Sequence, residues 1–598
     1  MPDDRGIVVL RIDAPPVNAL GAALRRAIAD ALDAAEDDAR CRAIILTGAH
    51  GTFSAGADVK EFNTPRMVQE PTLRTLIEQV EQCRVPVIAA IEGTCMGGGL
   101  ELALACHYRV VHARAMLALP EVTLGLLPGA GGTQRLPRAL GVAPALEMIV
   151  TGASRTGAQL HAMPGQRLVS ALVPDGTALL ELAHRVAEGV RDLRPLPRVR
   201  DWSASPPAAD VHDDAVRRAL AAHDPRVPAP RACVACVAAA CTHTFDEGLA
   251  FERAQFVTLM MGAESKALRH AFFAERAASR VPGVSADTPA RPLERIVITG
   301  VPASAAAHGV ASAFQSAGLS VTVVDHDDRA LADADCIIDA EATDLATAQA
   351  RCARLAGIAR DGAVLAITDA ELDMDAIASA TARPGDVVGL HLAGAAPAGR
   401  LLEVRRVSGT APDVIATMQA LARRLRRVAV VSTARQGGIG HRLLQRFRQQ
   451  ARVLLEAGCT VQQIDAALAH FGVAPGPMTA RDLAAGPERT STRDWSDDEI
   501  AARLVYALAN EGAVLLDDGV AARASDIDVV LMLGFGVPAW RGGAMHHAEH
   551  IGLYRVARAL GRWAREPLPA AASWTPAPLL VRLADEQRTF ADVGVASV

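Results

Sequence analysis

The sequence predicts an α/β protein that ends in an all-helical region. Three observations carry this expectation. Strand, loop and helix signals alternate at short intervals through the first 193 residues. A strand, a glycine, a helix and a second strand ending in an acid follow one another from Arg295 to Asp325. In the last third, helical segments recur at an offset of 61 to 64 residues, and duplicated helical units pack on each other.

Ile7 to Ile12 alternates as a strand does. Asn18-Ala19-Leu20 opens a helix that runs through Ala35 and is rich in Ala, Leu and Arg. Ala43 to Leu46 is a short buried strand leading to the segment Gly51 to Phe62, GTFSAGADVKEF. Val87 to Ile91 is the next strand and leads into Gly97-Gly98-Gly99, after which LELALAC around Glu101 reads as a short apolar helix. Glu121 lies twenty residues on, in a Leu-Pro-Glu turn before a second glycine-rich loop, LPGAGGT, ending at Thr133. Helix and turn signals alternate from Ala143 to Val173, and Thr177 to Leu193 reads as one long helix.

Residues 194 to 230 are dense in proline and read as a linker or extended wrap. Helices resume at Phe245 to Arg253 and at Ala263 to Ala278. Arg295 to Thr299 and Ser320 to Val324 are strands flanking Gly300 and a helix, with Asp325 at the end of the second. His391 ends another strand, and Glu403 follows twelve residues later. The segments at Arg442, Leu454, Ile464 and Phe471 recur at Arg503, Leu515, Ile527 and Phe535.

At 598 residues the chain exceeds one core. Its net charge of −6 gives no sign of nucleic-acid affinity. Lys60 and Lys266 are the sole lysines, and the alanine-rich composition fits a GC-rich coding bias. The start, MPDDRGIVVL, lacks the basic and long apolar regions of a signal peptide, and no apolar run of membrane-spanning length is free of charge. No membrane insertion is expected. Ten scattered cysteines suit a reducing, cytoplasmic setting. Cys233, Cys236, Cys241 and His243 have a spacing that could serve a metal, but they sit in an alanine- and valine-rich helical stretch where small apolar side chains pack, so no metal site is expected.

The stretch from Ile91 to Leu136 carries chemistry. Glycines at a helix start allow close backbone approach and leave N–H groups free for an anion. Two such groups aimed at one oxygen form an oxyanion hole. Two carboxyl groups across one water divide acid and base roles when their surroundings separate their pKa values.

These pieces together (AGAD, GGG-x-E, PE and PGAGGTQRL) resemble the crotonase, or enoyl-CoA hydratase/isomerase, family over residues 5 to 190. The resemblance implies a spiral of β-β-α turns. It implies oxyanion donors on the N–H groups of Ala57 and Gly98, catalytic carboxyls on Glu101 and Glu121, and a CoA path along Ala55, Ala57 and Lys60. From about 294 to 590 the chain resembles 3-hydroxyacyl-CoA dehydrogenase. That implies a Rossmann-like domain with Gly300 and Asp325 toward NAD, and a dyad in which His391 takes the hydroxyl proton and Glu403 orients it. The stretch ending FFAERAASRVPG resembles the joining helix of multifunctional fatty-acid oxidation enzymes, which also carry the C-terminal duplication.

The second half departs from its family. The phosphate loop reads Gly300-Val-Pro302-Ala-Ser-Ala305, and proline offers no N–H to a pyrophosphate. Ala370, Gly394 and His441 stand where the family has a serine and two asparagines. The hairpin that helps hold CoA after Asp325 and the segment between the two repeats are shortened.

The expected organisation is a hydratase domain over 1–193, a proline-rich linker and connecting helices over 194–290, and a degenerate Rossmann-like domain over 291–406. Helical units follow over 407–485 and 486–598. The expected activity is hydration of trans-2-enoyl-CoA, which needs no cofactor, with Δ3-Δ2 isomerisation open at the same site. NAD use by the second half is doubtful. One alternative is a bifunctional hydratase and NAD-linked dehydrogenase. Another is a non-catalytic acyl-CoA-binding or assembly subunit. The expected partners are the acyl-CoA substrate and a thiolase, and the expected form is a monomer or small homo-oligomer.

Overall fold

Five short apolar runs pair in parallel as the main sheet of the first of two units, Met1–Lys266 and Ala267–Val598. The structure is a computed structural model. It describes residues 1–206, 208–300, 305–324, 327–340, 344–368, 371–392, 399–433, 437–483, 493–568 and 570–594.

In chain order the first unit begins β1 (Ile7–Ile12), α1 (Ala22–Asp37), β2 (Ala43–Gly48), α2 (Leu73–Gln82), β3 (Val87–Ile91), β4 (Thr94–Met96), α3 (Gly98–Ala105), β5 (Tyr108–His112) and β6 (Met116–Ala118). It continues α4 (Gly132–Leu140), α5 (Val142–Thr151), β7 (Arg155–Thr156), α6 (Gly157–His161), β8 (Ala171–Val173) and α7 (Leu179–Val190). The main sheet has the order β1-β2-β3-β5-β8, all parallel, and β4, β6 and β7 form a small second sheet. Every residue of β3, and all of β2 except Gly48, is buried, which is why both read as unbroken apolar runs. On one face, Leu179, Ala183 and Ala187 of α7, spaced four apart, cover Ile7, Ile45, Ile88 and Val110.

Parallel pairing sends the carboxyl ends of β2 and β3 to the same edge of the sheet. The loop after β2 and the loop after β3 therefore lie side by side, tied by a bridge between Ser54 and Cys95. The expected acyl-oxygen donors sit on these two loops.

The proline-rich stretch is not a linker throughout. It contains α8 (Ala209–Ala221), because no proline falls between Pro207 and Pro225 and the intervening backbone can close its helical hydrogen bonds. Two more helices follow, α9 (Ala229–Thr242) and α10 (Phe245–Met261). A capping box between Thr244 and Glu247 starts α10. All three pack within the first unit, α8 and α9 on α5, and α9 and α10 on α4. The division between the units falls inside α11 (Ala263–Ala278).

The second unit opens with β9 (Arg295–Thr299), α12 (Ala305–Ser316), β10 (Ser320–Val324), α13 (Asp328–Ala332), β11 (Cys336–Asp339), α14 (Leu345–Ile358), β12 (Val364–Ile367) and α15 (Met374–Ser379). β13 (Val387–Leu392), β14 (Leu401–Arg406), α16 (Pro412–Arg424) and β15 (Val428–Thr433) complete the sheet region. Its sheet runs β10-β9-β11-β12-β13-β14-β15, parallel except for the β13–β14 pair. Ile296 and Ile298 face one core and Val297 the other, the two-residue period of a strand covered on both sides.

The helical region is α17 (Gly438–Glu456), α18 (Val461–Phe471), α19 (Asp497–Asp517), α20 (Ala524–Gly534), α21 (Ala544–Ile551), α22 (Leu553–Trp563) and α23 (Pro578–Asp585). The sequence repeat appears as two long–short pairs, of 19 and 11 residues and then 21 and 11. Both α17 and α18 pack on α19, through a core that includes Leu443, Phe447, Leu504 and Leu508.

Candidate active site

The loop after β2 is held by its neighbours. The Ser54 hydroxyl donates to the Asn18 carbonyl at 2.7 Å and accepts the Gly56 N–H at 3.1 Å. The Ser54 carbonyl accepts the Met96 N–H at 2.9 Å. Gly56 and Gly97 have φ of +100° and +53°, so the chain turns sharply on both sides of this contact. The turns bring Ala57 and Gly98 together: a Cβ built on Gly98 would stand 3.1 Å from the Ala57 nitrogen. Among the described residues neither the Ala57 nor the Gly98 N–H has an acceptor. Gly98 is the first residue of α3, where an unpaired N–H is expected, and the two donors form a small anion-binding notch.

Glu101 stands in the first turn of α3 and is 2% exposed. Its Oε1 accepts the N–H groups of Ala130 and Gly132, each at 2.8 Å. Its Oε2 has no donor among the described residues. Glu121 opens the 3₁₀ turn Glu121–Leu124, and its Oε2 is buried without a partner. A Cβ on Gly97 would lie 3.0 Å from Glu121 Oε1, so only glycine leaves this carboxyl its position beside the notch.

The two carboxyls have different surroundings. Burial raises Glu101, while the Ala130 and Gly132 N–H groups and the charges of Arg135 and Arg74 oppose the shift. Burial and then the charge of Glu101 push Glu121 well above the usual carboxylate range. Glu101 is thus the member supported as an anion and Glu121 the member kept protonated.

A third carboxyl, absent from the sequence expectations, completes the cluster. Glu252 of α10 is 1% exposed. Its Oε1 accepts the Gly131 N–H at 2.7 Å, and its Oε2 accepts the Thr133 N–H at 3.1 Å and the Thr133 hydroxyl at 2.5 Å. Burial, then the charge of Glu101, raise its pKa to about 8. Four consecutive N–H groups, Ala130 to Thr133, thus alternate between Glu101 and Glu252. Gly248, Glu252 and Phe256 share one stripe of α10, and its contacts are close. A Cβ on Gly248 would meet Gln134 Oε1 at 2.2 Å, and one on Gly129 would meet the Phe256 ring at 2.5 Å. The readable signal was a glutamate in the middle of the apolar stripe Phe245, Gly248, Phe256, Leu259.

Ala55 and Lys60 are exposed on either side of Ala57, along the outer edge of the same loop. Asp58 caps the turn there by accepting the Lys60 N–H at 3.0 Å. The cysteine cluster is dispersed in helix packing: Cys233 and Cys236 are fully buried on α9, burial pushes the Cys236 thiol up to about 12, and His243 stacks on Phe251.

In the second unit, His391 and Glu403 face each other across the antiparallel β13–β14 pair. His391 is exposed and Glu403 is 1% exposed. Glu403 Oε1 accepts from the Ser432 hydroxyl at 2.9 Å and the Ile439 N–H at 2.7 Å, and Oε2 accepts the Gly440 N–H at 3.0 Å. Its hydrogen bonds go to the start of α17 and to β15, and none goes to His391. His441 lies in the first turn of α17. Gly300 follows β9 with a φ of +91°, the tight turn expected of the first glycine of a phosphate loop. Pro302, Asp325, Ala370 and Gly394 lie outside the described residues. In the sequence, Pro302 removes one N–H that such a loop would offer, and the two later glycines are absent.

Two unpaired backbone N–H groups beside paired buried carboxyls, followed in the chain by a doubly wound parallel sheet, define an α/β enzyme class. Residues 3–194 match the family described as enoyl-CoA hydratase/isomerase, and residues 321–435 match that described as 3-hydroxyacyl-CoA dehydrogenase, NAD binding domain. The peroxisomal bifunctional enzyme of Danio rerio is 31% identical, with 97% of this chain and 96% of the relative covered. The peroxisomal bifunctional enzyme of Homo sapiens is 30% identical, with the same shares covered. The fatty acid oxidation complex subunit alpha of Shewanella sp. (strain MR-7) is 27% identical, with 98% of each covered. The chain belongs to this bifunctional family, in which an enoyl-CoA hydratase/isomerase domain is fused to a 3-hydroxyacyl-CoA dehydrogenase domain. No helix among the described residues is long and apolar enough to cross a membrane.

Proposed function

We propose that the chain hydrates trans-2-enoyl-CoA thioesters in the first unit. The observation that carries this reading is the meeting of two unpaired N–H groups, Ala57 and Gly98, with two buried carboxyls in unlike surroundings. The thioester oxygen would accept from both N–H groups. Glu101 Oε2 would take a proton from water as its oxygen bonds C3, and the electron pair of the double bond would move toward the thioester oxygen. Glu121 would then protonate C2, which closes the addition of one water. A proton passed from Glu101 to Glu121 resets the site. The CoA moiety would run along Ala55, Ala57 and Lys60. Moving a proton between C2 and C4 needs the same notch and one carboxyl, so Δ3-Δ2 isomerisation fits the same site.

For the second unit we propose weak or absent NAD-linked oxidation. Two observations favour this: the proline in the phosphate loop, and a Glu403 whose hydrogen bonds hold α17 and β15 in place of His391. The reading extends to a cytoplasmic monomer or small homo-oligomer with a thiolase as partner, which size-exclusion chromatography with and without a thiolase tests.

The deciding experiment incubates the full chain with crotonyl-CoA, with and without NAD, and follows loss of the enoyl absorbance and gain of NADH. Hydration without NADH is expected. NADH formed at a comparable rate would favour a fully bifunctional enzyme. No loss of enoyl absorbance would overturn the hydratase reading and favour an acyl-CoA-binding or assembly subunit.

A further inference from the structure

We infer that Glu252 is a positioning residue for the hydration site: it fixes the loop Ala130–Thr133 so that Glu101 binds it through one oxygen and keeps the other for water. This inference rests on the hydratase reading above. Glu252 lies beyond residue 194, where the hydratase match ends, and reaches the loop from α10.

The geometry argues the role. Gly131 and Thr133 turn their N–H groups to Glu252, while Ala130 and Gly132 turn theirs to Glu101 Oε1. Without Glu252, two buried N–H groups and one hydroxyl lose their acceptor, and a buried donor left unsatisfied is costly. The loop would have to shift to find another acceptor, and Glu101 is the carboxyl already bonded to it. Either response moves Glu101 or occupies its Oε2, and a displacement of about 1 Å at a reacting group costs about 10²-fold in rate. The fit leaves little slack, because Gln134 packs on Gly248 and Gly129 packs on Phe256 along the stripe that carries Glu252. Glu252 also bears on the field at the site, since its charge, once it ionises, raises the pKa of Glu121.

The test compares wild type with Glu252→Gln on crotonyl-CoA. Glutamine keeps the volume, but its amide nitrogen cannot accept from Thr133. The expected result is a fall in kcat of about 10²-fold with KM changed far less. The alkaline limb of the kcat/KM profile should also move to lower pH, because the Glu252 charge that helps hold the proton on Glu121 is gone. A merely structural glutamate would leave that limb in place. If Glu252→Gln does not fold, Thr133→Val and Thr133→Ser decide. Valine deletes the hydroxyl bond to Glu252 and should lower kcat, and serine should restore it. An active wild type with an unchanged Glu252→Gln, a fall in kcat with no movement of the alkaline limb, or a Thr133→Val as fast as wild type overturns the inference. An inactive wild type instead sinks the hydratase reading itself.

Discussion

Arg135 and Glu81 form a two-pronged ion pair, Nε to Oε1 at 3.1 Å and Nη2 to Oε2 at 2.9 Å, with each side chain 1% exposed. The remaining guanidinium nitrogen, Nη1, donates to the Ala130 carbonyl at 3.3 Å. The pair thus ties α2 to α4 and grips the far side of the loop that Glu101 and Glu252 hold. Replacing Glu81 by alanine leaves a buried cation unpaired. The expected loss is about 3–5 kcal/mol, read from denaturant melts, while a Glu81→Met, Arg135→Met double variant should recover part of it.

Each member of the carboxyl pair has its own expected defect. Glu101→Gln and Glu121→Gln should each lower kcat on crotonyl-CoA by about 10²–10⁴-fold with the fold intact. The double variant should be little slower than the worse single, because the two groups act on one water addition. Steady-state kinetics with circular dichroism as a control checks both statements.

Gly98 has no room for a side chain at the notch. A methyl group there would stand 3.1 Å from the Ala57 nitrogen, where an acyl oxygen has to sit. Gly98→Ala should therefore lower kcat/KM by about 10²–10³-fold, the usual effect of losing one oxyanion donor. The nearest atom to that methyl, at 2.6 Å, is the flexible end of Leu73, so stability should change little by comparison.

The pH behaviour follows from the direction of the shifts. The proposed hydration needs Glu101 ionised and Glu121 protonated, and burial raises both. Both limbs of the kcat/KM profile should lie above the usual carboxylate range, with apparent values that belong to the pair.

Stability should move the opposite way with pH at Glu252. Its folded pKa, about 8, exceeds the ordinary glutamate value of 4.5, so the folded state binds the proton more tightly. The contribution is full below pH 4.5 and is lost as pH rises toward 8. Glu252→Gln should flatten the decline of Tm across that interval, which a thermal melt series will show.

Much of this architecture was legible in the sequence because local pattern and tertiary environment agree. Ile7–Ile12, Val87–Ile91, Arg295–Thr299 and Ser320–Val324 form strands with the ends their apolar runs suggested. The notch residues were legible through glycine, since Gly97 and Gly98 tolerate no Cβ beside Glu121 and Ala57. Glu252 was not, because its partner Thr133 is 119 residues away and a glutamate on a helix ordinarily faces water. The helix Ala209–Ala221 was hidden by the prolines on either side, which end helices without preventing one between them. His391 and Glu403 stand opposite each other in the sheet, and the attachment of Glu403 to the start of α17, which no local pattern signalled, depends on Gly438 and Gly440, each too close to its carboxylate for a side chain.

That attachment gives Glu403 a second employment. An acid that seats the end of a 19-residue helix is kept for mechanical reasons, whatever becomes of the histidine across from it. Sequence change in the loop after Gly300 would leave that employment untouched, and removal of Glu403 would loosen the scaffold before it altered any chemistry.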